Sequence, residues 1–137
     1  MTAKEYLGQA FFLDRRIESK LEQLSSLKLL ATKTTARYDD MPGSPGRNTD
    51  GFERTMVKII ALSQEINDEI DRLVDLKTEM THRINQVEDA ELCTLLELRY
   101  LCFKSWEDIA VDMHYTERYI HLLHSKALCC IEKMLAH

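Results

Sequence analysis

Glycine and proline are scarce in this chain, four and two residues of 137. Folds made of many tight turns need both, so an all-β architecture is disfavoured and helices are expected. No apolar run approaches the roughly 20 residues that cross a bilayer as a helix, so no membrane partner is expected. The first residues carry no basic-then-apolar leader, which predicts a cytoplasmic protein rather than a secreted one. Cys93, Cys102, Cys129 and Cys130 form no C-x-x-C pair. They read as reduced, buried thiols. No glycine-rich phosphate loop, G-x-S-x-G or H-E-x-x-H is present, and the Asp and Glu residues fall at the spacing of solvated helix faces. No enzyme, catalytic residue or cofactor is therefore expected. His121 and His124 stand three residues apart with Cys129 nearby, but no second ligand pair is visible, so no metal is expected. The formal net charge of −5 argues against a non-specific nucleic-acid coat protein. It leaves room for a docking surface that is locally neutral or positive.

What is present is helical periodicity. Hydrophobic residues make up 45% of the chain, the share of a folded protein rather than a disordered one. Thr2-Ala-Lys-Glu5 is a capping box, and Leu7, Ala10, Phe11, Leu13, Ile17, Leu21, Leu24, Leu27 and Leu30 follow at helical spacing. A long amphipathic helix is predicted over about 2–36. Both prolines and three of the four glycines fall within 38–51, which predicts a loop there. Asp50-Gly-Phe-Glu53 repeats the cap signature. Phe52, Ile59, Ile66, Leu73, Met80 and Val87 then recur every seven residues, flanked by Met56, Ile70 and Ile84 in a second register and Leu62 and Leu76 in a third. Two helices of roughly 50 Å each, joined by one loop, predict an antiparallel helical hairpin over 1–87. Its broad apolar stripe is more than one partner helix needs, so either the C-terminal helices or a second chain should cover it, and a homodimer through the hairpin is the expectation.

From Asp89 the pattern changes to three shorter helices: Leu92 through Leu101, a second opened by the capping box Ser105-Trp-Glu-Asp108, and a third starting at Thr116. The stretch Trp106–Ser125 meets the requirements of a helix-turn-helix. Ala110 supplies a small residue where the second helix crosses close to the first. Ile109, Met113, Tyr115, Ile120 and Leu123 supply the apolar contacts, and Trp106 a packing anchor. Met113-His-Tyr-Thr116 supplies the tight turn, and Thr116 a side-chain acceptor to cap the second helix.

These residues carry a resemblance. Leu98-Arg-Tyr-Leu101, Ser105-Trp-Glu-Asp-Ile-Ala110, Tyr115-Thr116 and His124-Ser-Lys-Ala-Leu128 resemble region four of bacterial sigma factors and the phage-type transcription regulators that use the same module, the ArpU-like group. The resemblance covers about the last 45 residues; no region two is recognisable. It implies a sequence-specific, double-stranded-DNA-binding transcription regulator in which the helix after Thr116 lies in the major groove. The groove-facing residues implied are Thr116, Glu117, Arg118, His121, Leu122 and Ser125. Arg118 would bond guanine or a phosphate, Glu117 cytosine N4, His121 a base or a phosphate, and Leu122 a thymine methyl. RNA polymerase is a further implied partner. The family's usual turn glycine is replaced by His114, where a left-handed backbone is expected.

The whole is expected to be all-α: a long antiparallel hairpin over 1–87 with its loop at 38–51, then the helix-turn-helix module over 88–137. The alternative function is a helical adaptor or scaffold that contacts the transcription machinery without binding DNA; exposed apolar side chains on the helix after Thr116 would favour it.

Overall fold

The computed structural model describes the backbone of residues 1–40 and 45–136, and the side chains of 1–33 and 51–136. Five α-helices in chain order are α1 (Ala3–Asp40), α2 (Pro45–Ile84), α3 (Ala90–Leu96), α4 (Trp106–Met113) and α5 (Glu117–Leu135), with a π-helical turn over Glu97–Leu101 continuing α3. No strand occurs among the described residues. The fold is all-α, long helices first and shorter ones after.

The connection between α1 and α2 differs from the loop expected over 38–51. Residues 41–44 lie outside the described residues; 38–40 belong to α1 and 45–51 to α2. Asp50 is therefore inside a helix rather than at its start, which corrects the second cap. A proline is tolerated in a first helical turn because its missing N–H would have no partner there. A glycine inside a helix costs only about 1 kcal/mol, so a cap-like sequence need not stop one.

The chain divides into two compact units, residues 1–14 with 73–137, and residues 15–72. This differs from the expected division at residue 87, because the first turns of α1 fold with the C-terminal helices. Thr2 and Glu5 close the expected capping box, Thr2 Oγ1 accepting from Glu5 N–H at 3.1 Å and Glu5 Oε2 from Thr2 N–H at 3.4 Å. The Ala3 N–H donates to Glu132 Oε1 of α5 at 2.7 Å, and the Tyr6 hydroxyl donates to Glu79 Oε1 at 3.1 Å. Leu7, Met80, Ile84, Leu95, Leu96, Ile109, Ile120 and Ile131 are fully buried in this unit and share one continuous core.

In the unit 15–72, the two long helices run antiparallel. Lys20 lies 2.6 Å and Arg16 3.3 Å from Glu69 Oε1, and Lys20 lies 3.6 Å from Glu65. Ile17, Ala31, Ile59 and Ile66 are buried between them. Glu69 is buried as well, its Oε2 without a hydrogen-bond partner. The hydrogen bond from Lys20 holds its carboxyl below the usual carboxylate range, against the opposing effect of burial, with Arg16 and Arg72 adding to the lowering. Phe52 and Ile70, placed in the apolar stripe by sequence, lie at its exposed margin.

The thiols are less buried than expected. Cys102 and Cys129 are exposed, Cys93 and Cys130 half-buried, and all four are free. Cys102 sits at the end of the π-helical turn, and Cys129 falls between the buried positions Ala127 and Ile131 of α5. Cys93 donates to the carbonyls of Ile84 and Val87 at 3.2 and 3.0 Å, and burial with the Glu97 and Asp89 charges pushes its thiol up.

Candidate nucleic-acid interface

The site is built by two capped helices and the turn between them. Ser105, in extended conformation, accepts from Asp108 N–H at 3.2 Å and opens α4. Its side with Ile109 and Ala110 is buried. Thr116 accepts from Tyr119 N–H at 3.2 Å and opens α5. Ile120, Leu123, Ala127 and Ile131 form the buried side of α5 at intervals of three and four residues.

His114 adopts the left-handed conformation, φ 60° and ψ 41°. The His114 N–H donates to Val111 O at 3.3 Å and the Tyr115 N–H to Ala110 O at 3.0 Å. This pair of bonds is a Schellman ending, which satisfies the last carbonyls of α4 and turns the chain sharply into α5. The left-handed backbone expected at this position is thus present without glycine. Lys104 pairs with Asp112 at 2.5 Å across the start and end of the α4 segment.

The chain reaches α4 through geometry that periodicity does not reveal. The π-helical turn brings Cys102 N–H to Glu97 O at 3.0 Å, and Phe103 takes a left-handed φ of 58° to end it. Arg99 Nη1 then donates to Lys104 O at 2.9 Å, and its guanidinium lies 4.3 Å from the Trp106 ring centre. Trp106 is half-buried against the core, the packing role expected of it.

The outward side of α5 carries Thr116, Glu117, Arg118, His121, Leu122 and Ser125, all exposed. Thr116, Arg118, Tyr119, His121, Leu122 and Ser125 line one shallow surface depression; Glu117 is not among them. Tyr119 is the residue that sequence reasoning missed. It is 38% exposed, and its ring meets that of Tyr115 edge-on at 4.7 Å. Two aromatics four residues apart across a capped turn were the available signal. The Tyr115 hydroxyl donates to Glu91, so that bond holds α3 to the turn and, as the largest cause, pushes the Tyr115 phenol up.

His121 has a second contact besides solvent. Its ring lies 4.6 Å from Trp106, and His124 packs on the same indole at 4.6 Å. His124 is buried, with its Nε2 2.6 Å from the Tyr100 hydroxyl. Burial, and then the charges of Lys4, Arg99 and His121, push the His124 pKa down to about 4. His124 is therefore a neutral core residue at pH 7, and the His121/His124 pair serves packing. No cluster of three metal-ligating side chains occurs among the described residues. No described helix is long and apolar enough to cross a membrane.

The outward side of α5 presents a mixed set of polar and apolar groups. It offers one guanidinium, one imidazole, three hydroxyls, a carboxylate and a leucine methyl group, carried on the N-terminal half of a capped helix. The partial positive charge of that helix end favours anions, but only within its first turn. Comparison with family models, with curated proteins and with solved structures finds no match for this chain.

Proposed function

We propose that the protein is a cytoplasmic, sequence-specific DNA-binding transcription regulator of the phage type, with no catalytic role, that lays α5 in the major groove of double-stranded DNA. The observation that supports this best is the sharing of labour along α5. Ile120, Leu123, Ala127 and Ile131 are committed to the core while Thr116, Arg118, Tyr119, His121, Leu122 and Ser125 open together on the other side. A recognition helix needs that division, because base contact requires side chains free of the core on a helix that the core holds rigid. Arg118 and His121 would contact base edges or phosphates, and Leu122 a thymine methyl. RNA polymerase is the proposed second partner. The exposed Leu21, Leu29, Val57 and Ile60 of the unit 15–72 favour pairing of two copies through the long helices. Light scattering at micromolar concentration tests the pairing, and a monomer mass throughout would remove it.

The adaptor reading keeps one observation in its favour. Leu122 is 52% exposed and Val111 of α4 is 72% exposed, so the module presents apolar as well as cationic side chains. Selection of binding sites from random duplexes separates the two. Enrichment of a defined sequence supports the regulator; no duplex bound at low salt supports the adaptor.

A further inference from the structure

Within the unit formed by residues 1–14 and 73–137 lies a partly open cavity of about 570 Å³. Binding sites for small molecules run from roughly 300 to 1,000 Å³ and are mostly apolar with a few placed polar groups. The walls here are aromatic: Phe11, Phe12, Tyr100, Phe103 and Trp106. Phe11 meets both Phe12 and Phe103 edge-on at 5.8 Å, so the rings are braced against one another. Phe12 is nevertheless 69% exposed, which leaves apolar surface open to an occupant.

Gly8 completes the lining. A Cβ built at Gly8 meets nothing within 4 Å. A glycine in the second turn of α1 costs helix stability relative to alanine, and no neighbour crowds this one, so nothing in the packing calls for it. Two cations also line the cavity, Lys4 and Arg99. The Lys4 ammonium has no hydrogen bond or ion pair among the described residues. Arg99 is held in place by Lys104 O and the indole of Trp106. The single carboxylate in the lining, Glu5, accepts from Thr2 N–H in the capping box. The lining thus carries one net positive charge around an aromatic interior.

The geometry points to a binding site for a small, flat aromatic molecule bearing one anionic group. Its rings would pack against Phe12 and against the parts of Phe103 and Trp106 that line the cavity and are not covered by Lys77 and Arg99, and its anion would pair with Lys4, with the fixed guanidinium of Arg99 adding attraction. The site does not depend on whether α5 binds DNA.

Trp106 is the chain's one tryptophan and reports on the site directly. The full chain is titrated with 8-anilinonaphthalene-1-sulfonate and, separately, with the uncharged N-phenyl-1-naphthylamine, following dye emission and energy transfer from Trp106. The expected result is one saturable site per chain, with the anionic dye binding at least about tenfold tighter than the neutral one, the scale of one charge-assisted contact. Gly8→Leu fills the space and should lower the affinity for both dyes at least about tenfold without lowering the melting temperature, since leucine favours a helix more than glycine does. Lys4→Gln, at an exposed position, should reduce the preference for the anionic dye and leave the neutral one unchanged. Equal affinity for the two dyes, or dye binding that survives both Gly8→Leu and Lys4→Gln, would overturn the assignment.

Discussion

The two units of this chain are held together by different means. Residues 1–14 and 73–137 bury a continuous core in which eight large side chains are fully removed from solvent. Among the described side chains, residues 15–72 bury a thin line, Ile17, Ala31, Ile59 and Ile66, and add an ionic cluster around Glu69 while Leu21, Leu29, Val57 and Ile60 remain exposed. At about 25 cal/mol per Å² of apolar surface removed from water, the first arrangement gains more from its own burial than the second. The difference teaches that the candidate interface is carried on the unit with the larger core, and that the long helices leave more apolar surface exposed.

The largest expected effect tests the first half of that contrast. Ile109→Ala removes a side chain with no exposure beneath α4 and should destabilise the protein by about 2–5 kcal/mol. Urea titration would measure it, and a loss under about 1 kcal/mol would mean the core does not hold α4 as described. In the other unit, Lys20→Ala strips the hydrogen bond from the buried Glu69 carboxylate. A destabilisation of about 1–3 kcal/mol is expected. The double replacement Lys20→Met with Glu69→Met should recover most of it, because paired apolar side chains replace a buried ion pair at little cost.

A smaller, pH-linked effect separates the units again. The His124 pKa is pushed down to about 4, from an ordinary value of 6.5, by burial and by Lys4, Arg99 and His121. Below pH 6.5 the unfolded chain takes up a proton at this position that the folded chain does not. Stability is therefore full above 6.5 and falls as the pH drops toward 4, after which this contribution is spent. The Glu69 carboxyl, held below its usual range, contributes a loss only at more acid pH. Melting curves between pH 7 and 5 should show a slope that His124→Gln removes; an unchanged slope would show that another group carries it. The smallest effect is at the turn. His114→Gly relieves a left-handed residue but loosens the unfolded chain, so a change of under about 1 kcal/mol is expected. A loss above 2 kcal/mol by thermal melting would show that the His114 side chain has a role beyond its backbone.

Local rules made the module around α4 and α5 legible. The caps at Thr2, Ser105 and Thr116, the buried positions Ile109, Ile120 and Leu123, and the left-handed His114 each follow from a side chain and its neighbours within four residues. What escaped depends on partners distant in sequence or on backbone choices with no fixed residue signature. The Glu97–Leu101 run keeps helical spacing whether it winds as an α- or a π-turn, and Phe103 gives no sign of its left-handed backbone. Asp50 and Gly51 look like a helix start, yet extending an existing helix through them is easier than nucleating a new one. The folding of residues 1–14 with the C-terminal helices rests on contacts such as Ala3 with Glu132, which no periodicity encodes. At the candidate site, six outward residues were implied by the resemblance, whereas the edge-on contact of Tyr119 with Tyr115 and the packing of His121 on Trp106 depend on how the turn and α5 fold against α4.

The central claim, that the outward side of α5 reads DNA, is tested most directly at Arg118, which is exposed at the start of that helix. Wild type and Arg118→Ala are titrated by fluorescence anisotropy against a duplex selected from random sequence, at two salt concentrations. The variant should fold as the wild type does and lose about 1–3 kcal/mol on the selected site if Arg118 contacts a base. If it contacts a phosphate, all sequences should weaken alike and the salt slope should fall by about one unit. Equal binding by the wild type and Arg118→Ala on every duplex, or no binding by the wild type even at low salt, would contradict the claim.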